Sequence, residues 1–141
     1  MYPDKKQLEL LIELQPIIKA KMGEWRIGDY GYINGKSNLC IYVYTRQGRK
    51  YIRLTNEDYL VDDERIIRIP LVIDPINPER GLCGMLDWRK WSFSYNGTAC
   101  IENEDENSVF FDDDITTTLL IALYFQEATL KDPKEAKDGV L

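Results

Sequence analysis

The chain's 141 residues suit one domain, and a domain of this length buries about two-thirds of its unfolded surface without a disulfide or metal staple. Hydrophobic residues make up 44% and charged residues 30%, a globular composition, and a net charge of −6 sets the whole-molecule field against polyanions, so generic DNA or RNA binding is not expected. The absence of histidine excludes Ser-His-Asp and Cys-His catalysis, His-bearing zinc sites and the usual proton shuttle near neutral pH.

In chain order, Asp4 with Gln7 three residues on predicts a capped helix start, and Leu8, Leu11, Ile12 and Ile18 give it an apolar stripe. Pro16 inside that stripe predicts a kink or a second short helix, and Gly23 predicts the stop. From Trp25 the period changes to two. Arg26–Ile33, Leu39–Thr45 and Tyr51–Leu54 read as strands, with turns at Asn34-Gly35 and around Gln47-Gly48. Ile66–Ile69 reads as a short fourth strand. Pro70, Pro75 and Pro78 then impose an extended passage, and Asn77-Pro78-Glu79 opens a helix to about Trp88 that Gly81 and Gly84 weaken. Asn96-Gly97 between Ser92–Tyr95 and Thr98–Glu102 is a hairpin signal. After a strand at Val109–Phe111, Asp112 to Asp114 cap a last helix from Ile115 to about Leu130.

This order predicts an α+β fold: a single domain over residues 1–131, with a mostly antiparallel twisted sheet flanked by an N-terminal and a C-terminal helix, then a solvated tail over 132–141. The last helix is apolar nearly all round between Leu119 and Phe125. It is therefore buried on several sides or serves a partner subunit, and a homo-oligomer through this helix is expected. That apolar run is the longest in the chain and far too short to span a bilayer, so no membrane partner is expected. No secretory signal precedes the first helix. Cys40, Cys83 and Cys100 are odd in number and widely spaced, which fits reduced thiols and a cytoplasmic location.

Charge is uneven along the chain. Residues 1–54 carry ten basic and five acidic side chains, whereas 101–141 carry three and eleven. In the basic part, alternation puts Ile41, Val43, Ile52 and Leu54 on a core face and turns Tyr42, Tyr44, Arg46, Tyr51 and Arg53 the other way, with Arg26, Tyr30 and Tyr32 sharing one parity on the first strand. Tyrosines stack on flat groups and arginines clamp phosphates, so Arg26, Tyr30, Tyr42, Tyr44, Arg46, Tyr51 and Arg53 are the candidate ligand-binding residues for a small anionic nucleotide-like molecule. The same face would also suit packing under a helix or subunit. A second cluster, Arg80, Trp88, Arg89 and Trp91, reads either as an interaction edge or as tryptophans plugging the core with Arg80 paired to an acid.

The acidic stretch Glu102 to Asn107 with Asp112 to Asp114 admits a solvated loop plus helix cap, a weak divalent-cation site, or a mimic of the nucleic-acid backbone that occupies a partner's basic groove. Glycine-rich nucleotide-loop motifs are missing, since Gly28-x-x-Gly31 and Gly81-x-x-Gly84 stand alone. A carboxylate pair such as Glu79 and Asp87 has no spacing that places its members together. No catalytic residue, cofactor or metal is expected.

Two phrases, Gly23-Glu24-Trp25-Arg26-Ile27-Gly28-Asp29-Tyr30 and Ile69-Pro70-Leu71-Val72-Ile73-Asp74-Pro75 through Asn77-Pro78-Glu79-Arg80-Gly81-Leu82, resemble small uncharacterised proteins of bacteriophages and prophages. The closing helix at Thr116–Leu123 is similar too, while Cys83 and Val72 stand where such chains carry an aromatic and a second proline. The resemblance implies a non-enzymatic accessory protein that antagonises host defence, by sequestering a nucleotide signal or by blocking a host protein.

Overall fold

The computed structural model describes residues 3–33, 38–44, 50–53, 58–59, 66–103 and 108–131, with residues 38–44, 50–53, 58–59, 108 and 129–131 described by their backbone alone. Helix α1 (Lys5–Met22) begins at a reciprocal cap. The Asp4 carboxylate accepts from the Gln7 amide at 2.8 Å, and the Gln7 carboxamide accepts from the Asp4 amide at 3.1 Å. The helix runs unbroken through Pro16 and stops at Gly23, whose φ of +70° suits glycine. Its buried face is Gln7, Leu11, Leu14, Ile18 and Met22, while Ile12 of the expected stripe is exposed. Burial follows the 11-14-18-22 spacing, which holds one face over three turns as the 8-11-12-18 set does not.

Strands β1 (Tyr30–Ile33), β2 (Asn38–Tyr44), β3 (Lys50–Arg53), β4 (Asp58–Tyr59) and β5 (Ile66–Ile69) form an antiparallel sheet ordered β4-β3-β2-β1-β5. The two-residue β4 carried no alternation in the sequence to announce it. Strand β5 is an edge, and α1 seals it: the Gln15 carboxamide accepts from the Arg68 amide at 2.8 Å and donates to the Arg68 carbonyl at 2.9 Å. A side-chain amide thus stands where the next strand would be, which blunts the edge against stray pairing.

The expected second helix is two short pieces, a 3-10 turn at Pro78–Arg80 and one α-helical turn, α2 (Leu82–Met85). Gly84 explains the tightness, because a Cβ there would land on the Pro78 carbonyl; one at Gly81 would lie 2.7 Å from the Asp74 nitrogen. The remaining strands, β6 (Trp91–Tyr95), β7 (Ala99–Asn103) and β8 (Ser108–Asp112), make a separate three-stranded sheet, so the one expected sheet is two. Gly97, at φ +80°, turns the β6–β7 hairpin.

Helix α3 (Ile115–Lys131) is capped by the Asp114 carboxylate, which accepts from the Thr117 amide at 3.0 Å. Gln7 joins the two helix starts, its nitrogen donating to Asp114 at 3.2 Å and to the Thr117 hydroxyl at 3.0 Å. The helices therefore run side by side with their N-termini together. One core draws on all these elements: Leu11, Leu14, Ile18 and Met22 from α1, Tyr32 and Ile67 from the first sheet, Leu82, Met85 and Leu86, Trp91 and Ile101 from the second sheet, and Leu119, Leu120, Ala122 and Leu123 from α3. The apolar run of α3 is consumed largely inside this chain, which leaves Tyr124 exposed and Ile121 half-buried. The fold is α+β, with antiparallel sheets and a helix at each end of the described chain.

Substituting Gly84→Ala should cost about 1–3 kcal/mol by overpacking, read as a fall of several degrees in the thermal midpoint. An unchanged midpoint would show that the Pro78 turn has room to move.

Candidate functional site

The C-terminal end of α1 leaves carbonyls without helical partners, and two buried arginines supply them. Arg80, on the 3-10 turn, donates through Nε to the Met22 carbonyl at 2.8 Å and through a terminal nitrogen to the Glu24 carbonyl at 3.4 Å. Arg68, midway along β5, donates to the Gly23 carbonyl at 2.5 Å. Both side chains are only 4% exposed, so their charges need a counterion.

Asp29 is that counterion. Its two oxygens take both terminal nitrogens of Arg80, at 3.1 and 2.7 Å, and one also takes Arg68 at 3.2 Å. The turn that delivers Asp29 is tied by the Asp29 amide to the Arg26 carbonyl at 2.9 Å and by the Arg26 amide to the Asp29 carboxylate at 2.8 Å. Trp25 completes the cluster, its ring 4.4 Å from the Arg68 guanidinium carbon.

A second carboxylate enters from the proline-rich passage. Asp74 accepts from the amides of Ile76 and Asn77, each at 3.0 Å, and lies 3.5 Å from Arg80. The Asn77 backbone bond, with help from the Ile76 amide and the positive charges of Arg80 and Arg26, holds the Asp74 carboxyl below the usual carboxylate range. Arg80 is raised, chiefly by its hydrogen bonds to Asp29; burial pushes Arg68 down, with the neighbouring Arg80 charge acting in the same direction. With its carboxamide oxygen turned toward Arg26, Asn77 accepts from both terminal nitrogens of that guanidinium, at 2.5 and 2.6 Å. Three guanidiniums thus gather against two carboxylates, a local positive excess on an acidic molecule. The Arg68 Nε is buried without a hydrogen-bond partner.

Sheet register divides the expected tyrosine–arginine face. Cross-strand partners share a face, and the pairs are Tyr30↔Ile41, Ile41↔Arg53 and Val43↔Tyr51. Tyr30, Tyr51 and Arg53 therefore belong with Ile41 and Val43, whereas Tyr42 pairs with Ile52 and belongs with Tyr44 on the opposite face. Because Gly31 pairs with both Cys40 and Arg68, that opposite face is the one that carries Arg68. Parity within one strand cannot set the register between two, and a slip of one residue exchanges the faces. Arg26 is exposed and precedes β1, Tyr30 is half-buried, and Tyr32 is in the core. Arg46 lies outside the described residues, as do residues 104–107 of the acidic stretch and the tail at 132–141.

The expected interaction edge also divides. Arg80 and Trp91 are buried, Trp91 against Phe110 and Phe125 with its indole nitrogen 3.0 Å from the Gln126 oxygen. Trp88 and Arg89 stay exposed. Arg89 pairs locally with Asp87, which engages one member of the Glu79–Asp87 carboxylate pair. Asp112 and Asp114 serve Lys6 and the α3 cap. Among the described residues, no group of three acidic or thiol side chains is placed to hold a metal ion. No described helix is long and apolar enough to cross a membrane. Burial pushes the Cys83 thiol up, which makes it a poor nucleophile near neutral pH.

Sequence reading missed Asp29, Arg68, Asp74 and Asn77. The available signals were an arginine inside the apolar run Ile66-Ile67-Arg68-Ile69 and the Asp-Pro-Ile-Asn spacing of an Asx turn. Residues 23–30 bring Trp25, Arg26 and Asp29 to this cluster, residues 69–82 bring Asp74, Asn77 and Arg80, and Arg68 comes from β5. Comparison with protein-family models found no match to this chain, and comparisons with curated proteins and with solved structures found none either.

Asp29→Ala should cost at least about 3 kcal/mol in denaturant unfolding, because it strands two buried cations, whereas Arg89→Ala in the exposed pair should stay within about 0.5 kcal/mol. Equal effects would contradict the assignment. The depressed Asp74 carboxyl stabilises fully at neutral pH, above the value of about 3.9 it has unfolded, and that contribution is lost as pH falls through its folded-state value. Asp74→Asn should therefore flatten part of the acid limb of stability between roughly pH 5 and 2. An acid limb identical to that of the parent protein would count against the Asp74 contacts.

Proposed function

We propose that this chain is a non-catalytic binding protein that captures a small anionic, nucleotide-like ligand on the Arg68 side of the five-stranded sheet. The observation that carries this reading is the guanidinium excess at Arg26, Arg68 and Arg80, set beside the sheet face to which Tyr42 and Tyr44 belong. Arg26 is the exposed member and is hydrogen-bonded to a neutral amide, so it can meet a phosphate from solvent. Tyrosine positions on the same face offer stacking at roughly 1–3 kcal/mol per base. The other half of the sequence-derived set, Tyr30, Tyr51 and Arg53, belongs to the face shared with the core residues Tyr32 and Ile67 and is not part of this site.

Acid–base catalysis gains no support from the cluster. Asp74 is held ionised and so is not poised to exchange a proton near neutrality, and both Asp29 oxygens are engaged by arginines. The phage resemblance supplies the biological role: a phage accessory protein that withholds a nucleotide signal from a cytoplasmic host defence. The acidic protein-blocking alternative is less supported, since Asp112 and Asp114 have structural tasks.

The test is a thermal-shift panel of cyclic nucleotides, ADP-ribose derivatives and mononucleotides, followed by calorimetry on any hit. A ligand at about a hundred times its dissociation constant adds roughly 2.7 kcal/mol, a shift of several degrees. Arg26→Ala and Tyr42→Ala should weaken binding at least tenfold, and Tyr51→Ala and Arg53→Ala should leave it unchanged. The reverse pattern would overturn the site, and a panel with no hit would overturn the ligand class.

A further inference from the structure

The β6–β7 hairpin ends in a dipeptide whose own chemistry the fold leaves open. Asn96, Gly97 and Thr98 join Tyr95 to its cross-strand partner Ala99, and all three are exposed. The Asn96 amide donates to the Thr98 carbonyl at 3.3 Å, which ties down the backbone of Asn96 and not its side chain. Among the described residues, neither the Asn96 carboxamide nor the Gly97 amide has a hydrogen-bond partner. A Cβ at Gly97 would meet nothing within 4 Å, and its φ of +80° is one that glycine adopts without strain. The Gly97 nitrogen is therefore unshielded, and water reaches it from the open side of the turn.

The Asn96 Cγ and the Gly97 nitrogen close a five-membered ring when they bond, so both reactants are already held in one chain. Hydroxide takes the Gly97 amide proton, the nitrogen attacks Cγ, the Cγ–Nδ2 bond breaks, and ammonia leaves with a proton from water. Water then opens the cyclic imide. Cleavage between the Gly97 nitrogen and Cγ gives aspartate; cleavage between that nitrogen and the Asn96 carbonyl carbon gives isoaspartate. No electron is transferred, and water is the sole co-reactant. The geometry points to Asn96 as a site of spontaneous, irreversible deamidation at the tip of the second sheet. The isoaspartyl product routes the main chain through Cβ and Cγ, so the turn gains one backbone carbon between Tyr95 and Ala99. Ala99 is fully buried, and the hairpin loosens where it meets the core. Asn77 is the internal contrast: Arg26 holds its carboxamide, and the next residue, Pro78, has no N–H to lose. This site is separate from the proposed ligand site and does not rest on it.

Ageing the folded protein at neutral to mildly alkaline pH, with peptide mapping by mass spectrometry, tests this directly. Asn34-Gly35 carries the same dipeptide outside the described residues, so conversion is assigned peptide by peptide. Asn96 should convert within about tenfold of the rate in a free peptide spanning Ser92–Ile101, in proportion to hydroxide, to both aspartyl and isoaspartyl forms. Asn77 should stay intact over the same interval. Asn96→Gln, whose longer side chain needs a six-membered ring, should lower conversion at this position at least about tenfold. The aged parent protein should lose several degrees of thermal midpoint that the aged variant keeps. A native Asn96 still intact once the free peptide has converted would overturn the inference, as would a rate independent of pH. Equal losses of midpoint in the parent and the variant would overturn the consequence for the hairpin.

Discussion

The structure depends on one largely buried carboxylate. Asp29 is the shared counterion of two guanidiniums that are otherwise committed to the carbonyls at the end of α1. A helix C-terminus is a region of negative potential, and cations placed there are favourable. Buried cations, however, are costly unless they are paired and fully hydrogen-bonded. Asp29 makes the arrangement possible, and Asp74 then binds the proline-rich passage to it. Three stretches distant in sequence meet there: the end of α1 with the turn that follows it, the middle of β5, and the passage from Asp74 to the 3-10 turn.

The opposite end of α1 is fixed by the hydrogen bonds of one uncharged side chain. Gln7 closes the Asp4 cap and reaches across to the Asp114 cap of α3, so the two helices start in register. Between these anchors, Gln15 ties the helix to the backbone of Arg68. One helix therefore carries three polar attachments along its length, at its start, its middle and its end. Position along α1 decides what the rest of the chain can do, including which faces of the five-stranded sheet and of α3 remain open.

Local signals in the sequence were strong where one residue type has one structural use. The Asp4–Gln7 cap, the Gly23 stop, the Asn96-Gly97 hairpin and the strand at Ile66–Ile69 could all be read directly. The sequence was silent where the outcome depends on pairing between distant segments. Register between β2 and β3 placed Tyr42 and Tyr51 on different faces, although each strand alternated as expected. Close backbone approach at Gly84 broke what the Asn-Pro-Glu start suggested would be a longer helix. Arg80 was recognised as a candidate for internal pairing, but its partner Asp29 lies 51 residues away and carries no mark of its role.

The claim on which the account rests is that Asp29 and Arg80 stabilise the fold as a coupled pair and not as two independent polar groups. A double-mutant cycle of Asp29→Asn and Arg80→Met, followed by urea unfolding at neutral pH, measures that coupling directly. The account predicts an interaction energy of about 2 kcal/mol or more, with the double variant losing far less than the sum of the single losses. Losses that add to within about 0.5 kcal/mol would contradict it.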